Sequence, residues 1–377
     1  MHPPTPSIRL SRTAQPNIHA NVHDLGDLVI HTRIAEAIEA GRPRYGFHRG
    51  IVVAAELRLD ALLNRIASLP SWNAYRPNDY NMLVDGPGVF LEVFGTEKPS
   101  HCTCGVSISG DTHELVETAA ARVKDAAGAE RIVAPMFAMN WYFMTATGLD
   151  FVTTNEVLSD VLLDDAYPDL AGGVTAFINR YLDAPEAVLI LQGPPGSGKT
   201  RLLRAVLGEL ARRRGEEVRV MSTNDPRALE NEQLYVRFLT NPVDVFALED
   251  ADHLMRPRSD GNALMQRFLA IADGIVRNQG RKIIFTTNLP NVGDLDDALV
   301  RPGRCFARLM MRALRPAEAE RFVGRICEQD GRPAGAAVAR LHRVSRPTYS
   351  VAEIYRLASD QTGPYDVRDR APLALTA

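Results

Sequence analysis

A chain of 377 residues, 45% hydrophobic and 24% charged, is long enough for more than one buried core and has an ordinary globular composition. Its formal net charge of -3 gives no overall attraction to nucleic acid or to an anionic membrane, so neither partner is expected. There is no run of the roughly 18 apolar residues that a membrane helix needs, no basic and apolar leader at the N-terminus, and only 4 cysteines, so a cytoplasmic protein without a disulfide scaffold is expected.

Residues 1–20 are rich in Pro, Ser, Thr and Asn without periodicity and read as a disordered tail. Helical periodicity then runs over Leu28–Ala40, Leu57–Ala67 and Thr112–Ala126, the last with Leu115, Ala119 and Val123 on one face. Strand-like runs interleave at Val89–Phe94, Gly105–Ser109 and Asn140–Met144. Residues 21–160 are therefore expected to form an α+β domain, with helices on a small antiparallel sheet. His101-Cys102-Thr103-Cys104 has no second cluster at ligand spacing elsewhere, so the two cysteines read as small core residues and not as zinc ligands. Trp72, Trp141, Tyr142 and Phe143 likewise read as core aromatics.

From about Tyr167 strands alternate with helices, the pattern of a parallel sheet with crossovers. Gly193-Pro194-Pro195-Gly196-Ser197-Gly198-Lys199-Thr200 lies between an apolar run, Val188–Leu191, and an amphipathic segment starting at position 201. In that context it is a complete phosphate loop. The glycines let successive N–H groups and the helix N-terminus face phosphate, Lys199 supplies positive charge, and the Thr200 hydroxyl is placed to hold magnesium. Position 201 carries Arg201, to which the sequence assigns no role.

Two further strands are expected over Glu216–Thr223 and Asp244–Asp250, the second ending in the acids Glu249 and Asp250. Ligands of parallel sheets bind at the carboxyl ends of strands, which puts both acids beside the phosphate loop. A strand over Arg281–Asn288 ends at the same edge, where Asn288 either orients a water or serves the turn before Leu289-Pro290. Arg301 and Arg304 bracket a Pro-Gly turn and suit either phosphoryl charge or surface ion pairs. Arg212-Arg213-Arg214, with Arg256 and Arg258, is the basic surface available to nucleic acid, but a helix C-terminus favours such cations in any case.

These motifs, in this order over residues 167–360, resemble the AAA ATPases of the AAA+ superfamily. Ala247-Leu-Glu-Asp-Ala-Asp252 and Phe268–Gly274 resemble the Bcs-type branch most, since those proteins also place Glu before Asp. The resemblance implies an α/β P-loop NTPase core over 161–312, a helical lid over 313–360 and a loose tail over 361–377, preceded by a partner-recruiting N-terminal domain. It also implies ATP and Mg2+ as ligands, with Lys199 and Thr200 as the Walker A pair, Glu249 and Asp250 as Walker B, and Asn288 as sensor 1. Arg301 and Arg304 become fingers acting on a neighbouring subunit, hence a homo-oligomeric ring, hexameric by family precedent. Asp169 and Leu170, in Tyr167–Gly173 with Ala171 inserted, correspond to the adenine-contacting segment, and Ser350–Ile354 to the start of the sensor 2 helix.

Asp297 and Phe306 depart from the family pattern, and Asn224–Leu234 lacks an aromatic pore loop, which argues against processive threading. The expected function is ATP hydrolysis coupled to remodelling or moving a protein partner. Two rivals stand beside it: a nucleotide-gated assembly scaffold with slow hydrolysis, and a DNA-acting loader.

Overall fold

The computed structural model describes residues 22–41, 44–158, 162–255, 280–290, 299, 301 and 303–359. Chain contacts divide it into two compact units, one built on residues up to 138 with 154–157 and 215–217, the other on 139–153, 158–214 and the residues from 218 onward. The Phe268–Gly274 segment, Asp297, Arg256, Arg258 and both expected tails lie outside the described residues.

The first unit contains α1 (Val22–Glu39), β1 (Phe47–Ala55), α2 (Leu59–Ala67), β2 (Asn73–Tyr75), β3 (Asn81–Gly86), β4 (Val89–Glu97), β5 (Cys102–Gly110) and α3 (His113–Ala126). Its five strands form an antiparallel sheet in the order β1-β5-β4-β3-β2. Leu59, Leu62, Leu63 and Ile66 of α2 and Val116, Ala119, Ala120 and Val123 of α3 share one core with Ile51, Leu91, Cys102 and Ile108 of the sheet. Leu115 is only packed against the margin of that core; the buried face of α3 is turned by one residue toward Val116. Cys102 and Cys104 are fully buried free thiols, pushed above the ordinary thiol pKa by burial. Residues from α1 (Val29, Ile30 and Ile34) pack with Tyr45, Leu83 and Phe90 in a separate small cluster.

The second unit is an α/β layer structure, as its alternating pattern requires. It comprises β6 (Met136–Thr145) from Met139 onward, β7 (Gly148–Val157) as far as Thr153, α4 (Gly173–Asp183), β8 (Val188–Gln192), α5 (Lys199–Arg214) and β9 (Val218–Ser222). There follow α6 (Pro226–Glu230), α7 (Glu232–Thr240), β10 (Val245–Leu248), α8 (Asp252–Met255), β11 (Lys282–Thr287), β12 (Cys305–Met310), α9 (Pro316–Gln329), α10 (Gly335–Val344) and α11 (Val351–Ala358). The strands run in the order β12-β8-β11-β10-β9-β6-β7, and β12, β8, β11, β10 and β9 are mutually parallel. Every residue of β8, β10 and β11 is buried, which is why these strands read as continuous apolar runs and not as alternations.

The strand Asn140–Met144 departs from its expected place in the antiparallel domain of residues 21–160. It belongs instead to the second unit, where Tyr142 is buried in one core with Phe238, Phe246 and Phe285. The Met144 amide donates to Asp225 at 2.9 Å, tying this hairpin to the start of α6. Its apolar and aromatic residues carry no mark of which sheet they join; only the partner surface decides that. Trp72 and Tyr142 are core residues as expected, and Trp141 and Phe143 are half-buried.

Candidate functional site

Strand β8 delivers the chain to the phosphate loop, and α5 leaves it at Lys199. Gly193 is fixed at the start of the loop, its amide donating to the Thr287 carbonyl at 3.1 Å. A Cβ at Gly193 would lie 2.2 Å from the Met311 carbonyl oxygen, so only glycine fits that approach. At Gly198 a positive φ of 95° coincides with contact from Tyr167, whose hydroxyl donates to the Gly198 carbonyl at 3.0 Å. The Ser197 hydroxyl is buried and has no hydrogen-bond partner among the described residues.

Lys199 Nζ donates to the Gly193 carbonyl at 2.8 Å, the Pro194 carbonyl at 3.1 Å and Asn288 Oδ1 at 2.8 Å. Asn288 Nδ2 in turn donates to Asp250 Oδ1 at 2.9 Å. The two contacts fix the amide orientation, because an ammonium can only donate and a carboxylate can only accept. Burial lowers the Lys199 pKa, while Asp250, Asp252 and Glu249 oppose that shift with negative charge.

Thr200 Oγ1 donates to Glu249 Oε2 at 2.5 Å. A hydroxyl and a carboxylate together are hard oxygen donors, and among the described residues no group of three or more His, Cys, Asp or Glu forms a complete metal cage. That donor set fits magnesium, which takes one or two protein oxygens and fills its remaining positions with phosphate and water. Asp250 has φ of 50°, a left-handed conformation for which aspartate is among the better-suited residues, and its amide donates to Thr286 Oγ1 at 2.9 Å. The Glu-before-Asp order thus has a local reason: the shorter acid occupies the tight turn, while the longer one spans to Thr200.

Asp252, which has no separate role in the motif reading, accepts from Thr287 Oγ1 at 2.6 Å and from the Asn288 amide at 2.8 Å through one oxygen. It therefore fixes where the end of β11 presents Asn288. Gln192 Nε2 holds the next residue, donating to the Leu289 carbonyl at 2.7 Å. Asp252 was visible in the run Glu249–Asp252, but its partner lay on a strand far along the chain.

Pro195, Gly196, Gly198, Lys199, Thr200, Arg201, Glu249, Asp250, Thr286 and Asn288 line a single cavity of about 400 Å³ with Val351, Ala352 and Tyr355 of α11. This volume is in the range of small-ligand sites. Ser350, expected at the start of this helix, caps it in a reciprocal box with Glu353, and the Ala352 amide donates to the Gly196 carbonyl at 3.0 Å. The lid therefore rests directly on the phosphate loop.

The remaining predicted residues lie elsewhere. Gly193, Pro194 and Ser197 are not among the residues that line that cavity. Asp169 and Leu170 line a separate crevice with Tyr167, Met310, Met311 and Arg312, and Arg312 pairs with Asp169 at 2.9 Å and with Glu318 at 2.8 Å. Arg304 is at the opposite end of the sheet: its carbonyl accepts from the Val188 amide at 3.3 Å, at the start of β8. One strand length of roughly 13 Å separates that point from the loop. Exposed Arg301 precedes it on the same edge, and neither arginine lines the described cavity.

Phe306, which departs from the family pattern, packs against Phe177 and Tyr181 at ring separations of 5.7 and 5.3 Å. Asn224–Leu234 folds largely into α6 and the start of α7, capped by Asp225 and Asn231. The basic cluster is satisfied within the chain: Arg212 pairs with Glu209, Arg213 with Asp183 and Glu209, and Arg214 with Asp244. No helix among the described residues is long and apolar enough to cross a membrane.

Residues 189–313 match the ATPase family associated with various cellular activities (AAA). An "AAA ATPase forming ring-shaped complexes" from Bifidobacterium animalis subsp. lactis (strain AD011) is 31% identical over 148 residues, covering 34% of this chain and 28% of that protein. The "Probable mitochondrial chaperone bcs1" of Schizosaccharomyces pombe is 34% identical over 122 residues, covering 30% and 26%. The "Mitochondrial chaperone BCS1" of Danio rerio is 31% identical over 128 residues, covering 30% and 29%. The chain thus spans less than a third of the length of these relatives.

Proposed function

We propose, for a chain that carries an AAA-family ATPase domain related to the Bcs-type proteins, that it binds and hydrolyses ATP in a homo-oligomeric ring and uses the cycle to remodel or move a protein partner recruited by its N-terminal unit. The observation that carries hydrolysis is the chain of contacts from Lys199 through Asn288 to Asp250, beside the Thr200–Glu249 pair. Lys199 meets charge on the β and γ phosphates, and Asn288 holds the Asp250 carboxylate where it orients the attacking water. Thr200 and Glu249 would hold magnesium, which when bound neutralises charge on the phosphate oxygens.

The ring is favoured by the position of Arg301 and Arg304. They lie at the sheet edge away from their own phosphate loop, so a nucleotide that they contact belongs to a neighbouring copy. The relative named for ring-shaped complexes supports the same assembly. A hexamer is the size implied by family precedent.

The test is phosphate release by the purified chain with Mg2+ and ATP. Asp250→Asn should bind ATP normally and turn it over roughly 100-fold more slowly. Mixing Arg301→Ala/Arg304→Ala chains with Asp250→Asn chains should restore activity at mixed interfaces. Wild-type turnover in Asp250→Asn would refute the assignment of the acid pair, and failure of mixing to restore activity would refute fingers acting between copies.

A further inference from the structure

The described lid face of the phosphate cavity consists of Val351, Ala352 and Tyr355, none of which carries positive charge. The cavity has a second cation nonetheless. Arg201, the first residue after Thr200, lines it, and its guanidinium lies 3.8 Å from the centre of the Tyr355 ring. Tyr355 is braced from behind by Phe322 of α9, edge to face at 5.2 Å. Among the described residues no carboxylate pairs with Arg201, whereas Arg212 and Arg213 at the far end of the same helix, and Arg312, are ion-paired.

We propose that Arg201 is a phosphate-binding residue of this site and that Tyr355, by holding its guanidinium in place, makes the position of the lid part of nucleotide affinity. The inference rests on the proposed nucleotide reading of the cavity. Side chains near a helix start lean toward its N-terminus, so Arg201 can reach an anion seated on the loop. An aromatic face fixes the guanidinium plane while leaving its N–H edge free for phosphate oxygens. Lys199 cannot take this role alone, since its ammonium is already shared among two carbonyls and Asn288. The Ala352 amide on the Gly196 carbonyl fixes the same helix to the loop, so a lid displacement would remove the ring from Arg201 and the donor from Gly196 together.

Binding of ADP and of adenosine to the full chain, measured by calorimetry, tests this. Arg201→Ala should weaken ADP roughly 10-fold and leave adenosine unchanged, as expected for one charge-assisted contact to phosphate. Tyr355→Phe should bind as wild type because the ring face remains, whereas Tyr355→Ala should weaken ADP several-fold in the wild-type background and much less beside Arg201→Ala. Arg201→Lys, which keeps the charge and loses the planar fork, should fall between. Lys199→Ala serves as the control. Wild-type ADP affinity in Arg201→Ala, with Lys199→Ala impaired and melting temperatures unchanged, overturns the role of Arg201 alone. Wild-type affinity in both variants overturns the phosphate-site reading itself.

Discussion

The two edges of the parallel sheet each hold a buried lysine, and the pair separates a group that faces a cavity from one that completes a helix end. At the carboxyl edge Lys199 is 8% exposed, faces an open cavity, and has three carboxylates near enough to oppose the effect of burial on its charge. At the amino edge Lys282 is 4% exposed and donates to the carbonyls of Tyr181, Ala184 and Glu186 at 2.8, 2.8 and 3.2 Å, with the Tyr181 ring beneath it. Both pKa values are lowered by burial, that of Lys282 to about 8. Burial and a shifted pKa therefore do not distinguish the two; what distinguishes them is whether the ammonium faces a space a ligand can fill or completes the C-terminal end of a helix.

The comparison breaks most sharply on substitution. Lys199→Ala should reduce ATP turnover roughly 100- to 1000-fold with little change in melting temperature, since it removes charge stabilisation and water entering the open cavity can serve the three acceptors it leaves. A variant that keeps wild-type turnover would end the assignment. Lys282→Met should do the reverse: turnover per folded molecule unchanged, and stability to urea lower by about 2 kcal/mol because three carbonyls lose their donor. Loss of turnover without loss of stability would show that the amino edge is not merely structural.

A smaller effect sharpens the carboxyl edge. Asp252→Ala should lower kcat about 10-fold by releasing Asn288, which then holds Asp250 less firmly. Asp252→Asn, whose side-chain oxygen still accepts from Thr287 and the Asn288 amide, should stay close to wild type in kcat. Equal losses in both variants would mean that the Asp252 charge matters and not its placement of Asn288.

The last effect is in pH. Because the folded pKa of Lys282 is about 8 against an ordinary 10.5, the unfolded chain holds a proton in that interval that the folded chain has released. Its contribution to unfolding free energy therefore rises with pH, is complete above 10.5, and is lost as pH falls through 8. The wild-type melting temperature should gain on that of Lys282→Met between pH 8 and pH 10.5. A constant difference would place the Lys282 pKa at its ordinary value.

How much could be read in advance depended on the range of each signal. Gly193–Thr200 is local: its spacing between an apolar strand and a helix carries the phosphate chemistry within a dozen residues, and the strands ending at Leu248 and Thr287 announce themselves by apolar runs. The positions of Glu249, Asp250 and Asn288 at the loop followed from the rule for carboxyl ends of parallel strands. Asn140–Met144 was legible as a strand but not as a member of the larger sheet, because aromatic alternation suits either sheet and only the packing of Tyr142 on Phe246 and Phe238 selects one.

The sequence by itself determined the phosphate loop, the acids, the α/β character of the second unit and the order of its motifs, because each depends on neighbouring residues or on strand periodicity. Only the tertiary structure decided that Lys199 meets Asp250 through Asn288, that Asp252 fixes that asparagine, that Arg201 lies on Tyr355, and that Arg301 and Arg304 sit away from their own site. The side-chain relations join residues from 36 to 154 positions apart, from Asn288 with Asp252 to Tyr355 with Arg201. Local pattern fixes what a segment becomes, whereas the order of strands in the sheet fixes which segments meet.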